Sequence, residues 1–123
     1  MPESLILVVD DDSSILDTVT AILNMEGYHV ATATNGAEAL EKVSRYQPSV
    51  VLLDMRMPVL DGWGFAAEMK ARGESTPIIV MTAAHDARRW AKEIGAAAFV
   101  AKPFAIPDLL TTIERFAAPT GSA

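Results

Sequence analysis

The chain has 123 residues, of which 50% are apolar, with a formal net charge of −6 and no cysteine. That length suits one domain able to bury a core without staples, and the missing cysteine excludes disulfides, thiolate metal sites and thiol nucleophiles together. The acidic balance argues against nucleic-acid binding, which needs a basic footprint, and the apolar run Leu5–Val9 is far too short to cross a bilayer.

Taken in order, Leu5-Ile6-Leu7-Val8-Val9 reads as a strand that stops at Asp10-Asp11-Asp12. A triple Asp after this run and no basic segment before it also speak against a signal peptide, and the absence of cysteine is compatible with a reducing, cytoplasmic setting, which is the expectation. Ser13 to Met25 carries Ile15, Val19, Ile22 and Leu23 at helical spacing, with Asp12 or Ser13 as N-cap and Gly27 as the stop. Tyr28 to Thr34 is a more polar strand, expected at a sheet edge. Asn35-Gly36 is a turn and possible cap before a helix whose apolar stripe is Ala37, Leu40 and Val43, ended by the constraint that Pro48 places on its predecessor.

Val50 to Leu53 is four consecutive branched apolar residues, suited to a strand buried on both faces in a parallel sheet, and it ends abruptly in Asp54. Pro58 to Gly62 is a loop, and Gly62 to Ala71 is a helix burying Phe65, Ala66 and Met69. Ile78-Ile79-Val80-Met81 is a strand ending in Thr82. A helix over Ala87 to Ile94 turns Trp90, Ala91 and Ile94 inward and stops at Gly95. Ala98-Phe99-Val100-Ala101 is the last strand and ends in Lys102-Pro103. Pro107 to Phe116 is the closing helix, with Leu109, Leu110, Ile113 and Phe116 as its buried face. The core spans about residues 4 to 117 of a single domain covering 1 to 123, and residues 118 to 123 read as a flexible tail.

Five β-α repeats imply an α/β fold, a five-stranded parallel sheet in the order 2-1-3-4-5 with helices on both faces, of flavodoxin-like type. In such sheets ligands bind outside the carboxyl ends of the strands. Asp54 alone reads as a turn residue. With Asp10, Asp11, Thr82 and Lys102 at the ends of neighbouring strands, it becomes part of a site for a divalent metal and a phosphoryl group.

Four segments carry a resemblance: Val8-Val9-Asp10-Asp11-Asp12; Leu53-Asp54-Met55-Arg56-Met57-Pro58 followed by Asp61-Gly62; Met81-Thr82-Ala83; and Lys102-Pro103-Phe104. Together they resemble the response-regulator receiver domain of two-component signalling. The resemblance implies that Asp54 accepts phosphate, and that Asp11, Asp54 and the backbone carbonyl of Arg56 bind Mg²⁺ while Asp10 acts through water. It implies that Thr82 and Lys102 hold phosphoryl oxygens, that Thr82 and Phe99 form a switch, and that Lys102-Pro103 is a cis peptide. Its implied partners are a sensor histidine kinase or phosphotransfer protein, and an effector or second copy docking on the face of the fourth helix, fifth strand and fifth helix. Neither direct nucleic-acid binding nor membrane insertion is expected. No enzymatic turnover is implied beyond self-catalysed phosphoryl acceptance and autodephosphorylation.

The residue types suit that chemistry. Three close carboxylates raise at least one pKa until a cation relieves them, and Mg²⁺ favours one or two carboxylates with a phosphate. Asp is a competent nucleophile, while Lys and Thr cover the transferring oxygens. No nucleotide loop of the type G-x-x-x-x-G-K-[ST] occurs, so the donor is expected to be a phosphohistidine on another protein. His29 and His85 are read as surface or loop residues. The alternative, a Mg-dependent phosphohydrolase with an Asp nucleophile, needs a second acid where Arg56 stands; a flavodoxin-like cofactor site would meet three Asp residues instead of a phosphate loop. Two departures stand out: the Thr82–Lys102 interval is about two residues short, the loss falling in the loop or helix around His85 to Ile94 so that a shortened fourth helix carrying Trp90 is expected, and Phe99 lacks the hydroxyl of the family's common Tyr. Arg56 is expected either to pair with Asp10, Asp11 or phosphate, or to face solvent.

Overall fold

The computed structural model describes residues 4–118; residues 119 to 123 of the expected tail lie outside them. Five strands and five helices alternate: β1 (Leu5–Val9), α1 (Ser13–Met25), β2 (His29–Ala33), α2 (Gly36–Tyr46), β3 (Val50–Leu53), α3 (Gly62–Ala71), β4 (Ile78–Ala83), α4 (Ala84–Ile94), β5 (Ala98–Lys102) and α5 (Ile106–Glu114). The sheet is parallel throughout and ordered β2-β1-β3-β4-β5, so the more polar β2 is indeed an edge.

Period-two alternation divides the buried residues between two layers. Ile6, Val8, Val50, Leu52, Ile79, Met81 and Val100 face α1 and α5. Leu7, Val9, Val51, Leu53, Ile78 and Val80 face α2, α3 and α4. All of β3 is buried, as an unbroken branched run requires of a central strand covered on both sides.

The helices follow from local signals. Asp12 is the α1 N-cap, accepting from the backbone N–H groups of Ser14 and Ile15 at 2.9 and 3.4 Å, so the third Asp of the run caps a helix. Asn35 caps α2 through Glu38 N–H, and Asp61 caps α3 through Gly64 N–H. α3 has the bounds and the buried trio Phe65, Ala66 and Met69 that its periodicity predicts.

Elsewhere the structure corrects the pattern. In α2 the inward residues are Ala39, Leu40 and Val43, and Ala37 is exposed, because Gly36 is the position pressed against the Leu60 backbone. α1 buries Leu16 with Val19 and Leu23, and Ile15 and Ile22 pack only at its margin. α5 begins at Ile106; Leu109 and Ile113 are buried, with Leu110 and Phe116 peripheral.

The largest correction concerns α4. It spans Ala84–Ile94, 11 residues, and follows β4 with no intervening residue. The helix therefore begins at Ala84, ahead of the expected Ala87, and no loop separates it from β4. Ala87, Trp90 and Ala91 bury its inner face, while its N-cap, Ala83, offers no side-chain acceptor. His85 consequently lies in a helix, 83% exposed at its side chain and 3.2 Å from Asp86, and His29 lies in β2.

Candidate functional site

Register brings the acids together. Val9 of β1 pairs with Leu53 of β3, so the next residues, Asp10 and Asp54, leave adjacent strand ends. Two backbone bonds fix that edge: Asp54 N–H donates to Val9 C=O at 2.9 Å, and Asp10 N–H donates to Ala33 C=O at 3.0 Å. Carboxylate oxygens of Asp10, Asp11 and Asp54 all lie within 4.8 Å of one another. Asp10 and Asp54 are buried, Asp11 exposed.

Lys102 arrives from the far edge of the sheet. Its ammonium lies 2.7 Å from Asp10 Oδ2 and 3.6 Å from Asp54 Oδ1. Asp10 Oδ1 also accepts from Asp12 N–H at 3.0 Å, and Asp54 Oδ1 from Met55 N–H at 3.0 Å. Thr82 is buried near the end of β4, paired in register with Ala101, one residue before Lys102. Among the described residues its hydroxyl has no hydrogen-bond partner. The Lys102–Pro103 peptide is cis.

Burial, then the charges of Asp10 and Asp11, push the Asp54 carboxyl from 3.8 up to about 6, against the opposing pull of Lys102 and the Met55 N–H. Neighbouring carboxylates that disfavour one another's ionisation, built only from oxygen donors, fit a hard divalent cation better than a soft or redox metal. The described residues therefore suit Mg²⁺ chemistrywise without any histidine ligand.

The loop after Asp54 is fixed by close backbone approaches. Gly62 N–H donates to Met55 C=O at 2.8 Å, and a Cβ on Gly62 would stand 2.7 Å from Met55 Cα. Leu60 C=O accepts from Gly36 N–H at 2.8 Å.

A model of the response regulator receiver domain matches residues 6–114. The chain belongs to the response regulator receiver domain family. This receiver is 36% identical over 119 residues to the transcriptional regulatory protein PrrA of Mycobacterium tuberculosis, covering 95% of this chain and 51% of that protein. It is 37% identical over 113 residues to sporulation initiation phosphotransferase F of Bacillus subtilis, covering 90% and 91%. Among solved structures it is similar to the receiver domain of sensor histidine kinase PA1611 from Pseudomonas aeruginosa, described with a magnesium ion coordinated in its active site cleft (TM-score 0.84, 31% identity, 94% of this chain and 98% of that one). The chain thus spans about half the length of PrrA and nearly all of phosphotransferase F. No helix among the described residues of this receiver is long and apolar enough to cross a membrane.

Of the two arrangements expected for Arg56, the structure has the solvent-exposed one: the side chain does not pair with the acids, and its guanidinium lies over the Trp90 ring, 5.0 Å from the centroid. Phe99 is 39% exposed on the α4 side of β5, with the Arg88 guanidinium 5.9 Å from its ring centre. Sequence reasoning did not find the Arg56–Trp90 pair. The early start of α4 brings Trp90 to this rim, and no local signal marks that start.

Proposed function

We propose that this receiver accepts a phosphoryl group on Asp54 from a phosphohistidine of a partner kinase or phosphotransfer protein, in a Mg²⁺-dependent reaction, and thereby changes its affinity for a downstream protein. The observation that carries the reading is the meeting of Asp10, Asp11, Asp54 and Lys102 at one rim, although Lys102 and Asp10 are 92 positions apart.

Asp54 attacks phosphorus through a carboxylate oxygen as the bond from phosphorus to the donor nitrogen breaks. A carboxyl with a pKa of about 6 is mostly ionised at neutral pH, so the nucleophile is available. Asp11, Asp54 and the Arg56 carbonyl are the groups to hold Mg²⁺, with Asp10 acting through water, and the ion would supply positive charge to the developing phosphoryl oxygens. Lys102 adds a second cation and Thr82 a hydroxyl donor on the same oxygens. The acyl phosphate then hydrolyses within the domain, which turns over no separate substrate.

The new dianion needs donors: Lys102, which the resting site gives to Asp10 and Asp54, must be redirected, and the Thr82 hydroxyl, which has no partner among the described residues, is free to turn toward it. Phe99, partly exposed between α4 and α5, is the residue through which that change reaches the α4–β5–α5 face, the proposed docking face for an effector or a second copy. The acidic balance of this segment supports a protein partner over nucleic acid, and the composition suits the cytoplasm. Intact mass after treatment with acetyl phosphate and Mg²⁺ tests the reading: one phosphate adduct on the wild type and none on Asp54→Asn. An adduct that survives Asp54→Asn, or no adduct on the wild type, refutes it.

A further inference from the structure

Trp90 sits at the point where α3, α4 and the loop after β3 meet. It is buried, 5% exposed, and lies edge-on to Trp63 with ring centroids 4.8 Å apart and planes at 68°. Trp63 is itself held by its indole N–H, which donates to Glu93 at 2.9 Å. A second guanidinium, that of Arg89, lies 5.9 Å from the Trp90 centroid and is tied to Asp86 at 2.6 Å. The ring is therefore fixed by packing on both helices, and it faces cations. Arg56, by contrast, is exposed, and among the described residues its guanidinium has Trp90 as its contact and no carboxylate.

From these contacts we propose that Trp90 is a positioning residue for the chemistry at Asp54, acting through Arg56 by holding its guanidinium away from the phosphoryl group. The inference rests on the phosphoacceptor reading above. Arg56 is rooted two residues beyond Asp54, so its side chain has two competing destinations. One is the Trp90 face, attractive through the ring quadrupole. The other is the phosphoryl oxygens, which match the guanidinium fork and carry full charge.

Decay of the aspartyl phosphate sets what is at stake. Water attacks phosphorus, the bond from phosphorus to the Asp54 oxygen breaks with its electron pair leaving on the carboxylate, and H₂PO₄⁻ departs and equilibrates its proton with solvent. A guanidinium laid on the phosphoryl oxygens obstructs the entering water; a guanidinium kept on Trp90 does not. Trp90 therefore shortens the life of the phosphorylated state.

The test uses the whole chain, phosphorylated with acetyl phosphate and Mg²⁺, freed of donor, and followed by intact mass. Trp90→Leu should slow decay about two- to fivefold, the range an exposed cation–π contact commands, and Trp90→Phe should fall between it and the wild type. In an Arg56→Met background the Trp90 substitutions should leave the decay rate where Arg56→Met alone sets it. Unchanged or faster decay in Trp90→Leu, or the same factor with and without Arg56, overturns the proposal. Should Trp90→Leu lose its fold, the Trp90→Phe pair decides by the same criteria. Absence of any adduct on the wild type would instead refute the phosphoacceptor reading, so the two failures are distinguishable.

Discussion

Lys102 closes the site by reaching Asp10, its ammonium 2.7 Å from Oδ2, while standing 3.6 Å from Asp54. Asp10 is 1% exposed, so this cation, itself only partly exposed, is the charge that makes a buried carboxylate tolerable. Removing one partner of a fully buried pair costs about 3–5 kcal/mol. Lys102→Met should cost somewhat less in metal-free protein, about 2–3 kcal/mol, and saturating Mg²⁺ should recover much of it. Paired urea melts with and without Mg²⁺ measure both; a loss that Mg²⁺ leaves untouched would contradict the shared-counterion account.

The raised Asp54 pKa makes stability fall with rising pH. Between about pH 4 and pH 6 the folded state holds a proton that the unfolded chain has released, so stability declines across that window and levels off above it. The gap between 3.8 and about 6 is worth about 3 kcal/mol at most. In EDTA, Asp54→Asn should therefore be more stable than wild type near pH 7, by about 1–2 kcal/mol, with the difference fading toward pH 4. Thermal melts across that range check it, and equal stability at pH 7 would contradict the burial and charge crowding described above.

Val59 has φ of 69° and is 82% exposed, a left-handed conformation that a β-branched residue adopts only under strain. Relief of that strain should make Val59→Asn more stable by about 1 kcal/mol, since left-handed geometry costs an ordinary residue about 1–2 kcal/mol. Chemical denaturation of the two proteins measures the difference.

Gly62→Ala puts a methyl 2.5 Å from Met55 Sδ and 2.7 Å from Met55 Cα; the thioether can move aside, but the backbone atom cannot. Overpacking of this kind costs about 1–3 kcal/mol. Because Met55 N–H donates to Asp54 Oδ1, the displacement should also slow formation of the acetyl-phosphate adduct. A variant of lowered stability but unchanged labelling rate would separate the loop from the nucleophile.

Much of the fold is legible locally. The branched run Val50–Leu53 can satisfy its side chains only in a two-sided core, and the approximate extent of α3 is legible because Phe65, Ala66 and Met69 repeat at helical spacing before Gly73. The start of α4 was not, because Ala83 gives no capping signal and Ala84 to Asp86 fit loop or helix alike. Ala37 and Ala39 of α2 are chemically identical, so only the neighbour that presses on Gly36 decides which of them faces inward.

Order along the chain determined which residue types end each strand, and hence that acids, a hydroxyl and an ammonium share one rim of a parallel sheet. Side-chain partnership was settled by packing in three dimensions. Arg56 lies over Trp90 and Phe99 stays partly exposed beside Arg88 because a helix that begins at Ala84 sets where those rings and guanidinium groups stand. Short-range pattern encodes backbone periodicity; contacts between residues 34 positions apart, such as Arg56 and Trp90, depend on how separate elements are seated against each other.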